Sequence, residues 1–387
     1  MLSAQRALNF EPGTEYEYSN SDYVILGIAI ERVTGVALSE YTRREIFIPL
    51  EMNRSWFQPS GGTAYKPAQG YISRNGSFRP APFPPQTTGD GGMYGSVSDL
   101  LRWLQNLERP RKGDEEVFRQ LVARARLRSG EVLPHASGLF WNRYKGRTTL
   151  SHNGSVEGFQ ADVVHFPKEQ LSVVCLCNRG DVDAASVSRQ IAEAYLSTGR
   201  PQPNTTQRPS RLTLSSDLSG KWESRQGFIL STRVDTTHLI ASTAGEEHVM
   251  SLDPSQKEFV AISDGFRLIL RRQGKDTLEL GWEGDRPNSF TRIRTAIPNS
   301  PDLKQYAGRF VNEELQLEWN LLVSDDSLLI TTPAGWRIPV VAAAPDRFEV
   351  GPWFLEFERT AGKISGLALH RERLWKLTFQ RVDATPN

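Results

Sequence analysis

The stretch 148-TTLSHNGSVEGFQADVVHFPKEQLSVVCLCN-178 decides the fold class. It divides into three strand-length segments, Thr148 to Ser155, Phe159 to Phe166 and Leu171 to Asn178. The connection Pro167-Lys168-Glu169-Gln170 is too short to cross back over a sheet, so the segments are expected to form an antiparallel meander. Ala184 to Leu196 then reads as a helix that closes the region. Upstream, apolar side chains at Tyr23, Leu26, Ile30 and Val33 recur at three and four residues, with Glu31 and Arg32 opposite and Gly35 as a stop. That spacing predicts an amphipathic helix packed on a core. Ser98 to Leu104, with an N-cap candidate ahead of its apolar face, and Glu115 to Ala123 predict two more. Gln58 to Gly95 is rich in Pro and Gly and is expected to be mostly loop bordering a cleft.

Downstream, residues 199–211 read as a linker by composition. Beyond Leu212 short apolar runs broken by Asp, Gly, Ser and Asn carry an internal repeat. Leu218-Ser-Gly-Lys-Trp222 matches Tyr306-Ala-Gly-Arg-Phe310, Phe259 matches Phe348, and Phe290-Thr-Arg-Ile293 matches Phe379-Gln-Arg-Val382, at offsets of 88 or 89 residues. Each unit has room for about eight short strands, so residues 212–297 and 303–387 are expected to be two small all-β modules, barrels or sandwiches. A small barrel is normally filled by its own side chains. A lipocalin-like carrier would need an empty one.

Of the 387 residues 38% are hydrophobic and 24% charged, which excludes a mostly disordered or fibrous chain. Lysine plus arginine number 46 against 45 acidic residues, for a net charge of +1, so nucleic acid and anionic membrane are poor partners. No apolar run reaches the roughly 18 residues of a spanning helix, and MLSAQRALNFEPG lacks a signal-peptide pattern. As written, the chain is expected in the cytoplasm. Cys175 and Cys177 would share one face of a strand, where a bond between them would be strained, so two free thiols are expected. Histidine and cysteine spacings predict no metal, and nothing calls for a cofactor.

Two motifs carry chemistry. Phe10-Glu-Pro-Gly13 followed by Tyr18-Ser19-Asn20 at the mouth of a helix puts a phenol, a hydroxyl and an amide where they can face a cleft. His152-Asn153-Gly154 lies in a strand, where a glycine lets a carbonyl approach a backbone N–H, here that of Ser155. Each motif alone is common. Their order is more telling: PGTEYEYSNSDYVILGIAIERVTG, IFIPLEMNRSWF, GDGGMYGSVSDLLRWLQNL and LSHNGSVEGFQADVVHFP together resemble serine hydrolases related to class C β-lactamases, penicillin-binding DD-peptidases, esterases and D-aminopeptidases. The resemblance covers residues from about 8 to 198.

It implies the C-terminal part of a β-lactamase-like α/β/α domain of α+β class, followed by the two β-modules, which resemble those flanking D-aminopeptidase catalytic domains. It implies Tyr18 as general base, Asn20 as a positioner of substrate or lysine, His152 and Gly154 as an H-x-G motif in place of K-T-G, and the Ser155 N–H as an oxyanion donor. A mostly neutral imidazole in place of lysine shifts the expected substrate from a β-lactam or peptide carboxylate toward an ester or D-amino-acid amide. The parent would be periplasmic or secreted.

One departure stands out. The family's nucleophile lies in S-x-x-K, and no serine of this chain has lysine three positions later. The chain is therefore expected to be truncated and inactive by itself, completed by a separately encoded N-terminal segment or reduced to a non-catalytic binder of peptide or peptidoglycan fragments. The last strand, Leu171 to Asn178, is apolar on both faces and would then be an open edge.

Overall fold

The computed structural model describes residues 7–57, 67–74, 77–82, 88–197 and 214–382, apart from 226, 236–237, 244–245, 254–257, 264–265, 283–286, 294–301, 332–334, 352 and 372–373. The expected linker lies outside the described residues, as do parts of the loop Gln58 to Gly95.

The first region begins with α1 (Asn20–Thr34), capped by Ser19, whose Oγ accepts the Asp22 N–H, and stopped by Gly35 at φ 68°. A short α2 (Leu38–Thr42) runs into a π-turn over Arg43–Phe47. The loop holds two small pairings, β1 (Trp56–Phe57) with β4 (Met93–Tyr94), and β2 (Tyr71–Arg74) with β3 (Ser77–Pro80). Then come α3 (Val97–Glu108), α4 (Glu115–Leu121) and the antiparallel sheet β5 (Phe140–Tyr144), β6 (Arg147–Val156), β7 (Phe159–Phe166) and β8 (Leu171–Cys177), closed by α5 (Ala184–Leu196). The meander thus has one more strand, β5, than the sequence reading. α3 starts earlier than expected because Ser96, not Ser98, offers its hydroxyl to the Asp99 N–H.

Alternation along the sheet builds three layers. Val163 and Val174 face a cluster of Leu104, Leu107 and Phe118 from α3 and α4. Their neighbours Val164 and Val173 face Phe166 and Ala192, beneath α5. Side chains as completely buried as Phe166 each contribute about 1.5–3 kcal/mol. A buried ionic clasp also ties α5 to β7: Asp162 accepts from Ser188 Oγ and lies 3.5 Å from Arg189.

α1 departs from expectation. Gly27 is its only buried residue, while Leu26 is 55% and Val33 87% exposed. The three-four spacing specifies an apolar face but not what covers it. β8 pairs with β7 alone, so its second edge carries no strand among the described residues. Leu176 on β8 and Val187, Ile191 and Tyr195 on α5 are exposed beside it.

The second region is two closed eight-stranded antiparallel barrels, strands spanning Gly220 to Arg292 and Gly308 to Val382. The repeat landmarks fall in register. Trp222 and Phe310 stand in the first strand of each barrel, Phe259 and Phe348 in the fifth, Phe290 and Phe379 in the eighth. All six are buried, and they fill the two interiors with aliphatic neighbours such as Leu270 and Leu355. The described part of each interior is thus occupied by the barrel's own side chains. The eighth strand's arginine latches each barrel. Arg292 stacks on Trp222 and donates to the Ser219 carbonyl; Arg381 donates to the carbonyls of Gln305 and Ala307. The repeated glycine makes room: a Cβ on Gly220 would lie 2.5 Å from the Arg292 guanidinium, and one on Gly308 3.0 Å from that of Arg381.

Candidate active site

β5 begins at Phe140, which pairs with Ser151, so beyond that pair β6 has no strand on that side and His152–Val156 are paired only with β7. The chain from Glu15 to Tyr18 approaches this exposed edge. The Tyr18 ring lies 6.4 Å from that of His152 and stacks, also at 6.4 Å, on Phe140, which is 5.5 Å from His152. Two residues distant in sequence are thus brought together by the sheet and by the entry into α1.

The imidazole of His152 is oriented by its own strand. Nδ1 lies 2.6 Å from the Asn153 carbonyl, which requires Nδ1 to carry the hydrogen and leaves Nε2 as an acceptor. Burial pulls its pKa below 6.5, and the bond to Asn153 only partly offsets this. The group is therefore a neutral imidazole near pH 7. His135, unremarked in the sequence, joins it: its ring is 5.0 Å from Phe140 and 5.2 Å from Tyr16. Burial first, and then His152, lower the His135 pKa as well. No periodicity or spacing marks His135, because only the return of the loop toward β5 brings it here.

The other motif residues divide. Ser19 caps α1, its hydroxyl accepting the Asp22 N–H at 3.2 Å. Asn20 is the first residue of that helix. The Ser155 Oγ accepts from Gln160 Nε2 at 2.9 Å. Beside it, a Cβ on Gly154 would meet nothing within 4 Å. Packing of the described residues does not demand a glycine there, and the space over this strand is open to a substrate.

Among the described residues no group of three His, Cys, Asp or Glu side chains is placed to hold a metal. Cys175 and Cys177 are unbonded, their Sγ atoms 3.6 Å apart, and burial together with Cys177 pushes the Cys175 thiol up to about 12. At neutral pH such a thiol is held in its protonated form. No described helix is long and apolar enough to cross a membrane.

The Beta-lactamase family model matches residues 2–196, and the chain belongs to that family. Within it, the chain is similar to D-aminopeptidases. It is 29% identical over 416 residues to the D-aminopeptidase of Gluconobacter oxydans, covering 99% of this chain and 74% of that protein. It is 25% identical over 391 residues to that of Brucella ovis, covering 95% and 71%. The similarity therefore extends through both barrels. Among solved structures, the octameric penicillin-binding protein homologue from Pyrococcus abyssi matches with 22% identity and a TM-score of 0.46, over 73% of this chain and 66% of that one.

Proposed function

We propose that residues 7–197 form the Tyr18 and His152 side of a serine-hydrolase site that cleaves D-amino-acid amides or the N-terminal D-residue of peptides. The observation that carries this reading is the convergence of Tyr18 and His152 beside the open strand at Gly154. In the reaction a serine oxygen attacks the substrate carbonyl and Tyr18 takes its proton. The Ser155 N–H stabilises the oxyanion, the amine leaves protonated, and water then releases the acid from the acyl-enzyme. Asn20 positions the substrate. Neutral His152 presents Nε2 as a hydrogen-bond acceptor, which suits a donor such as an amine or amide N–H better than a carboxylate. Esters are cleaved by the same steps.

Residues 1–387 contain no S-x-x-K. The nucleophile of the working enzyme comes from a segment that adds a strand to the free edge of β8 and covers the apolar positions of α1 and α5. By the same fact a second reading is supported, a non-catalytic binder of D-residue peptides. Mixing the chain with an S-x-x-K-bearing segment of a related D-aminopeptidase and assaying D-alanine p-nitroanilide separates the two. Turnover that requires both parts and drops by roughly 10²-fold in Tyr18→Phe supports the hydrolase. Peptide binding without turnover supports the binder. Turnover by residues 1–387 alone would reject the supplied serine.

A further inference from the structure

Cys175 and Cys177 stand two apart on β8, with their Sγ atoms 3.6 Å from each other. Val173 on the same strand packs with Phe166 and Ala192, and the period of two carries both thiols along that face, beneath α5. They lie two strands from β6, which carries His152. Both are half-buried, and β8 is the edge of its sheet, so among the described residues no further strand screens them from solvent on that side.

A disulfide does not fit this backbone. It needs Cβ atoms about 3.8 Å apart, whereas residues i and i+2 of an extended strand are separated by about 6.8 Å along it. A shared metal ion does fit. Bonds of about 2.3 Å, the length of a metal–thiolate bond, hold two sulfurs about 3.8 Å apart at a tetrahedral angle and about 4.6 Å apart when collinear. The two Sγ atoms, at 3.6 Å, stand just inside that range, and rotation of the side chains is enough to open them into it.

The surroundings select the ion. Asp162, the register partner of Cys175, is occupied by Ser188 and Arg189, and Asp183 caps α5 through the Ser186 N–H. These carboxylates add negative field at Cys175 but not a third ligand, which leaves two donors among the described residues. Zinc in a structural site takes four ligands, whereas monovalent copper prefers soft thiolates and accepts fewer of them. Burial also holds the proton on Cys175, so the ion must bind sulfur strongly enough to displace it, and hard cations do not.

We propose that Cys175 and Cys177 form a binding site for one monovalent copper ion. Binding forms two Cu–S bonds, breaks two S–H bonds and releases two protons to water, with no change of oxidation state.

The test is competition for Cu(I) between the whole chain and the chromophoric chelator bathocuproine disulfonate, in a thiol-free reductant. Uptake of one ion per chain is expected, weakened about tenfold or more in Cys175→Ser and in Cys177→Ser and lost in the double variant. Uptake should also be weaker at about pH 6 than at about pH 8, because two protons must leave. Blocking the thiols of the unaltered chain with methyl methanethiosulfonate repeats the comparison without a substitution, so the result stands even where a serine variant fails to fold. Absence of uptake overturns the proposal. So does uptake that survives the double substitution or the thiol block, or zinc held as tightly as copper.

Discussion

Replacing Arg292 by methionine isolates what the latch contributes to the first barrel, because methionine keeps most of the aliphatic stem and removes the cation. The guanidinium carbon lies 3.9 Å from the Trp222 ring centroid, and the side chain is only 21% exposed. A stacked and largely desolvated cation of this kind is worth about 1–2 kcal/mol. Arg292 also donates to the carbonyls of Ser219, at 3.1 Å, and Asp217, and a charged hydrogen bond to a carbonyl contributes about 1.5 kcal/mol or somewhat less where water can replace it. The expected loss is about 3 kcal/mol. The equivalent Arg381→Met removes similar carbonyl bonds, at 2.7 Å to Ala307 and 3.1 Å to Gln305, but its guanidinium is 6.0 Å from Phe310, at the limit of cation–π attraction. Its loss should be smaller by about 1 kcal/mol or more, from the weaker stacking together with the Arg292–Asp276 ion pair at 3.4 Å that only Arg292→Met breaks. Global unfolding of a multidomain chain need not be two-state, so the assay is hydrogen exchange in rising urea, read on peptides around residues 217–235 and 305–323. The reasoning is refuted if Arg381→Met weakens its barrel as much as Arg292→Met, or if Arg292→Met costs less than about 1 kcal/mol.

Asp162→Asn should destabilise the first region by up to about 3–5 kcal/mol, because it removes a carboxylate charge paired with the buried Arg189. Much of that loss should return in the double variant with Arg189→Met, and an additive double variant in denaturant unfolding would argue against the clasp. Gly154→Ala should leave the melting temperature unchanged or slightly raised, since the new methyl group meets nothing within 4 Å; a clear drop would show hidden packing. Burial holds the imidazoles of His135, His152 and His165 below 6.5, so the unfolded chain binds protons first as pH falls. The stability they protect is complete above about pH 6.5 and is lost below it, down to the folded pKa values. Melting curves at about pH 7.5 and 5.5 should show the decline, smaller in His165→Gln; a pH-independent curve would contradict it.

What was legible in the sequence was whatever depends on neighbours along the chain. The meander and α5 follow from periods of two and three to four, and Tyr18 and His152 from short motifs. The repeated Gly220 and Gly308 were visible as landmarks, yet their reason, an arginine returning from the eighth strand, exists only in the closed barrel. β5 was missed because Phe140-Trp-Asn-Arg-Tyr144 shows little polar alternation and is recognisable as a strand mainly by its pairing with β6. His135 was missed for the same reason, since its place beside Phe140 is created by a loop and not by a pattern. α1 and β8 show the limit most sharply. Their apolar faces were readable, but periodicity says only that a face must be covered, and the described residues leave both open. These two elements also frame the candidate site: α1 begins two residues after Tyr18, and β8 lies one strand beyond the β7 that carries His152's partner Val163. A helix lying on α1 would bring new side chains to the vicinity of Tyr18, whereas a strand joining β8 would complete the opposite edge of the sheet, three strands and about 14 Å from β6. Of the two open surfaces only that of α1 adjoins the site, so covering α1 is the requirement that would bring added side chains, a nucleophile among them, near Tyr18.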